Sequence, residues 1–197
     1  MTIRTVETSP RIKARIAGAF YVITIAASVF SFLVPSAADV ALNIAGAAYV
    51  GVTILFYYVF KAVNKGASLI AALLSFAGLA IGPVADYLSI PHGFSITMVF
   101  FGLYCLLIGY LTYRSTYLPR ILGVLLAVGG VGYLINSFAN LLSLEFAPHL
   151  FPYILLPGFI AETVLCLWLL VIGVNAQRWQ EQASVAAQWR ASATMHS

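Results

Sequence analysis

Six runs of about twenty apolar residues, each ended by a short break rich in turn-forming residues, constrain this chain more than any other feature. The runs cover approximately 14–34, 40–60, 67–88, 93–113, 119–142 and 150–174, and the breaks read VPSAAD, KAVNKG, DYLSIPHG, YRSTYLPR and SLEFAPH. A helix needs about 20 apolar residues to cross the hydrocarbon core of a bilayer. Lipid offers no partner to an unpaired backbone group, so each run must be helical. The expected architecture is all-α: an integral membrane six-helix bundle over 14–174, preceded by a basic segment 1–13 and followed by a tail 175–197. Of 197 residues, 62% are hydrophobic and 8% charged, against about a quarter charged in soluble domains. The length leaves no room for a soluble domain. Ser36-Ala37-Ala38 faintly resembles a signal-peptidase site, but the preceding run is long for a signal peptide and reads as an uncleaved first span.

The basic residues set the threading. Arg4, Arg11, Lys13 and Arg15 precede the first span. Lys61 and Lys65 follow the second, Arg114 and Arg120 follow the fourth, and Arg178 and Arg190 follow the sixth. The opposite breaks hold Asp39, Asp86 and Glu145 and no Lys or Arg. The positive-inside rule then puts both termini in the cytoplasm, as expected of an inner-membrane protein, with the lipid bilayer as its constant partner. The net charge of +4 is dispersed in ones and twos, which excludes a nucleic-acid surface. Ser9-Pro10 suits a helix N-cap and first position. In the tail, Trp179 and Trp189 among polar residues fit an interfacial helix or a frayed polar end. Cys105 and Cys166 fall inside apolar runs, where a thiol behaves as a small hydrophobe and no disulfide is expected.

Small residues mark the seams. Ser68, Ala71, Ser75, Gly78 and Gly82 share one face of the third span, and Ala41, Ala45 and Ala48 one face of the second. On the fifth, Gly129, Gly132, Asn136 and Asn140 form a stripe that turns from glycine to amide toward the outside. Asn43 lies near the outer end of the second span. Amides in hydrocarbon need partners, so these should face protein or a wet cavity.

Glu162 raises the functional question. At about 1.5 Å per residue it lies roughly 18 Å inward from Val174, near the midplane and level with Tyr133. Pro157 and Gly158 just outside it predict a kink and a close helix approach. An ionised acid at this depth is costly, and no Lys or Arg lies within any span. The expectation is a largely protonated Glu162 hydrogen-bonded to Tyr133 or Asn136, or else an outward-facing cavity wet enough to keep it charged. A proton or small-molecule site lined by Asn43, Tyr133, Asn136, Asn140 and Glu162 stands beside the plainer alternative of a static bond fixing the sixth helix to the fifth. A second reading is a membrane-embedded enzyme, or a metal or haem protein, at the outer face. Its weak candidates are Asp86, His92, Glu145 and His149, which lack ligand spacing. A third reading is a non-catalytic membrane partner or assembly factor. No phosphate loop, nucleophile elbow, dinucleotide fingerprint or CxxC is present, and no cofactor can be named.

Several stretches carry a family resemblance: GYL-x-YRS-x-YLPR-x-LG at 109–123, GYLI at 132–135, the run from Pro157 to Leu170 with its Leu-Trp-Leu-Leu, and ARIAGAFYVI at 14–23. The chain resembles the bacterial membrane-protein family catalogued as domain of unknown function 4386. The resemblance implies a multi-pass membrane protein with an acid at the position of Glu162, and it implies no activity.

Overall fold

The computed structural model describes residues 9–195; Arg4 lies outside them, as do the side chains of Trp189 and Arg190. No strand occurs among the described residues. The helices are α1 (Pro10–Leu33), α2 (Ala38–Phe60), α3 (Lys65–Tyr87), α4 (Gly93–Arg114), α5 (Arg120–Leu141), the single turn α6 (Ala147–Leu150), α7 (Leu156–Val171) and α8 (Ala176–Met195). Six helical segments are long and apolar enough to span a bilayer, the last being Tyr153–Val171. Large apolar side chains such as Phe32, Leu33, Val40, Leu73, Ile121 and Val171 are exposed on the outside of the bundle. Such a surface needs lipid, and the protein is a multi-pass membrane protein.

The spanning helices form a closed ring. Each of α1 to α4 packs on its successor, α5 packs on α7, and α7 packs back on α1. The ends that carry the basic residues are tied together. Arg11 and Arg15 donate to the carbonyls of Ile172 and Val171, and Trp179 Nε1 donates to the Val59 carbonyl. They form the basic end of the bundle. The tail helix α8 starts from an Asn175 cap and is anchored to the α4–α5 turn by Gln182 and Arg178. Trp179 is packed against the core instead of standing free at an interface.

Helix boundaries follow local chemistry. Ser9 precedes Pro10 as expected, although its carbonyl, not its hydroxyl, accepts from Ile12 and Lys13. At the opposite end α3 and α5 stop in the same way. Ser89 and Ser143 take left-handed backbone (φ 50° and 52°), and the next amides, Ile90 and Leu144, bond back to the carbonyls of Ala85 and Ala139. These are Schellman endings with serine in the usual glycine position. The sixth span is not one continuous helix over 150–174. Pro148, Pro152 and Pro157 lack N–H groups, and the chain breaks into α6, a 3₁₀ turn at Tyr153–Leu155 and α7. Pro157 falls in the first turn of α7, where a missing donor costs nothing, so a helix start replaces the kink.

Two seams bring backbones very close. A Cβ on Gly123 would stand 2.5 Å from the Gly109 carbonyl oxygen, and one on Gly129 would overlap Gly158. The first seam joins α4 to α5 and the second joins α5 to α7. In helix α3, Ser68, Ala71, Ser75 and Gly78 are buried, and Ser75 shares a 2.6 Å hydrogen bond with Thr53 of α2.

Candidate functional site

The interior of the ring is filled by aromatic side chains from four helices, with one carboxyl among them. Tyr21 of α1, Tyr49 of α2 and Tyr104 of α4 each sit near the middle of their helix, and Tyr133 of α5 lies slightly beyond its middle. Tyr21 meets Tyr49 edge-on at 5.7 Å between ring centres, and Tyr49 meets Tyr104 edge-on at 6.0 Å. Phe101 stacks on Tyr104 and leans on Tyr133 at 5.2 Å. Such pairs contribute about 0.5–1.5 kcal/mol each beyond burial, so the layer is a rigid wall around its polar atoms.

Glu162 enters this layer from α7 and is 8% exposed. Its two oxygens face different helices. Tyr21 donates to Oε2 at 2.7 Å, and Tyr133 donates to Oε1 at 2.5 Å. One side chain thus joins α1, α5 and α7 at the place where the ring closes. Gly158 makes room for this, since a Cβ there would overlap the Tyr133 phenol. On the other side of α7, Gly18 lets α1 approach the Leu170 backbone, where a Cβ would stand 2.5 Å from the amide nitrogen.

The surroundings are polar in an unusual way. The hydroxyls of Tyr49 and Tyr104 and the Oδ1 of Asn136 are buried without a well-formed hydrogen bond. Tyr49, Tyr104 and Cys105 lie within electrostatic reach of the carboxyl. No Lys or Arg lies in the layer. A phenol can donate or accept, so Tyr21 and Tyr133 can serve the carboxyl whether it is charged or protonated. In the first state both donate; in the second, one hydroxyl turns to accept. The site can therefore change protonation without rebuilding its walls.

The residues singled out in the sequence are distributed as follows. Tyr133 touches the carboxyl. Asn136 is buried on the same helix, and its backbone carbonyl accepts from the Asn140 amide. Asn140 is half-buried, and Asn43 is exposed, its amide spent on the Asp39 carbonyl of its own helix. The structure does not bring Asn43 or Asn140 to Glu162. Tyr21 was not anticipated. A phenol hydroxyl lies well away from its own Cα, so counting Cα levels passes over Tyr21. The cavities of about 330, 290 and 360 Å³ on the bundle surface are lined by other residues, and Glu162 lines none of these three.

Asp86, His92, Glu145 and His149 are all exposed. Among the described residues no three His, Cys, Asp or Glu side chains gather as a metal would require. Cys105 and Cys166 are buried free thiols, the latter donating to the Gly18 carbonyl at 3.5 Å.

Residues 84–173 match the model of a protein family described as "Domain of unknown function (DUF4386)". The matched segment holds most of the motifs that carried the resemblance, together with Tyr104, Tyr133 and Glu162. An uncharacterized protein of the archaeon Archaeoglobus fulgidus is 26% identical over 129 residues, covering 63% of this chain and 76% of that protein. No solved structure matches the chain.

Proposed function

We propose that this protein binds or moves a proton, or a small molecule together with a proton, with Glu162 as the group that takes it up and gives it off. In this reading the basic end faces the cytoplasm of a bacterial cell, both termini are inside, and the membrane is the inner one. The observation that carries the proposal is the carboxyl at mid-depth, with phenols on both oxygens and no cationic side chain to pair with. Intramembrane acids are costly and mark ion or substrate paths by default. The hydroxyls of Tyr49 and Tyr104 and the Oδ1 of Asn136, buried without a well-formed hydrogen bond, have bonding capacity left for a solute or water.

The test is proton flux into liposomes loaded with a pH-sensitive dye, after an imposed pH step, for wild type and Glu162→Gln. The expected result is a flux in wild-type vesicles that the variant lowers to the level of protein-free vesicles. Equal flux in all three refutes proton movement.

A second reading has a specific observation behind it. Both carboxyl oxygens are satisfied within the chain, and Glu162 lines none of the three surface cavities. Glu162 would then be a static clasp holding α7 between α1 and α5. Stability measurements separate the two readings.

A further inference from the structure

At the basic end, beside the turn that joins α4 to α5, lies a cavity of about 360 Å³ lined by Val63, Tyr113, Arg114, Arg120 and Gln182. Small-ligand pockets span about 300–1,000 Å³, so the space suits a group the size of a lipid head. Two of the five lining residues are arginines and none is acidic. The nearest acid in sequence, Glu181, accepts from Gln177 on its own helix.

The placement of the arginines is electrostatically unequal. Arg114 closes α4, where the helix dipole favours a cation, whereas Arg120 opens α5, where the dipole opposes one. The start of α5 follows Pro119 and has no side-chain cap. Arg120 is nevertheless held in place over the Tyr113 ring, 5.7 Å from its centre. Gln182 is also fixed. Its Oε1 accepts from the Thr116 amide at 3.0 Å and hydroxyl at 3.1 Å, and its Nε2 donates to the Arg114 carbonyl at 3.3 Å. The wall formed by α8 is thus built, and the two cations beside the positive end of α5 lack a counter-charge in the cavity lining. An anion there would offset the charge of both guanidiniums and of the positive end of α5.

Depth selects among anions. The cavity lies where two spanning helices end, which is the level of lipid phosphates, and Tyr113 and Val63 give it an apolar side. Basic pockets between spanning helices at this level hold lipid head groups. Guanidinium forks match phosphate oxygens. We propose that this cavity binds the phosphate of an anionic phospholipid, with Arg114 and Arg120 donating to its oxygens. The proposal is independent of Glu162.

The test is titration of the purified full chain in neutral detergent with phosphatidylglycerol, phosphatidylcholine or inorganic phosphate, read by native mass spectrometry and thermal unfolding. The expected result is binding and a raised melting temperature with phosphatidylglycerol alone. Arg114→Gln and Arg120→Gln should each weaken it about tenfold, the worth of one charged hydrogen bond. Lys65→Gln, a charge at the same end but outside the cavity lining, should bind as wild type does. If the glutamine variants do not fold, the Arg114→Lys, Arg120→Lys pair keeps the charge and loses the fork, and should still bind more weakly. A Lys65→Gln loss as large as either arginine's would mean diffuse attraction and overturn the site. A response to inorganic phosphate equal to that of the lipid would overturn the lipid assignment, and no response to phosphatidylglycerol would overturn both.

Discussion

Replacing Glu162 by leucine removes the acceptor of two buried phenols, Tyr21 and Tyr133. Interhelical hydrogen bonds in membranes are worth about 0.6–2 kcal/mol each, and a dry unpaired hydroxyl costs about 1–3 kcal/mol. Two such losses come to about 2–6 kcal/mol, the lower figure applying where the Tyr49 or Tyr104 hydroxyl takes up one freed donor. At about 2–4 °C per kcal/mol for a chain of this length, Glu162→Leu should melt at least about 4 °C below wild type. Glu162→Gln keeps one acceptor and gains a donor that one phenol can accept, so it should stay within about 1 kcal/mol. The assay is thermal unfolding of purified protein in detergent at neutral pH, with Tyr133→Phe as a third variant to isolate one of the two bonds. A leucine variant as stable as wild type, or more so, refutes the reasoning. It would mean that holding an acid in the bundle costs as much as its two bonds return, which is the pattern of a group kept for function at the expense of stability.

Other consequences are smaller and independent. Gly158→Ala should destabilise by about 1–3 kcal/mol through overpacking, because its Cβ meets the Tyr133 phenol; a melting curve unchanged from wild type would contradict the close α5–α7 contact. Gly123→Val should weaken the α4–α5 seam in the same assay, since even a Cβ crowds the Gly109 carbonyl and the Tyr113 backbone. The Val59 carbonyl accepts from both Tyr117 and Trp179, so Trp179→Phe should cost no more than about 1 kcal/mol while speeding amide exchange in α8. Burial pushes the Tyr117 phenol, in the turn outside the spans, well above its ordinary range. The folded state then keeps a proton that the unfolded chain releases above about pH 10, so stability should fall as pH rises past that point. Tyr117→Phe should make that alkaline fall shallower by one proton's share, and an unchanged slope would exclude Tyr117 as a contributor.

Much of the fold was legible because lipid simplifies the reading. Backbone groups that cannot meet water must be helical, so the six apolar runs translate directly into spans, and the alternating basic breaks fix which helix ends share a side. What the pattern could not supply was the closure of the ring. Hydrophobic periodicity separates core from lipid poorly when both are apolar, and α4, for example, is apolar on every side. The second glycine face of α5, Gly123 and Gly130 against Gly109 and Gly102 of α4, was therefore missed, although the stripe of Gly129 and Gly132 was read without its partner, which is α7 and the turn before it. The candidate site was half legible. Its acid and one phenol stand out because Glu162 has no cationic partner in the spans. Tyr21 does not stand out, being one of 11 tyrosines.

The ring closes at its shortest helix, and that bears on the choice between clasp and carrier. α7 has 16 residues, about 24 Å at 1.5 Å per residue, less than the roughly 30 Å core of a bilayer. Its extension away from the basic end is one 3₁₀ turn and two prolines, which contribute few backbone bonds. Small residues line the α7 flanks, Gly18 and Gly129 opposite and Gly158 within, and its interlocking bulk is Leu165 and Leu169, both fully buried. Arg11 and Arg15 hold its basic end through the carbonyls of Ile172 and Val171, and the bonds from Tyr21 and Tyr133 to Glu162 fix it at mid-length. If the carboxyl changes protonation, one of those bonds must reverse direction, and α7 is the element placed to respond. A distance label pair on α7 and α3, which does not pack against it, should therefore report a broader separation in Glu162→Leu than in wild type, while a pair on α4 and α5 should stay unchanged. Equal widths in both pairs would favour a rigid bundle in which Glu162 is only one bond among many.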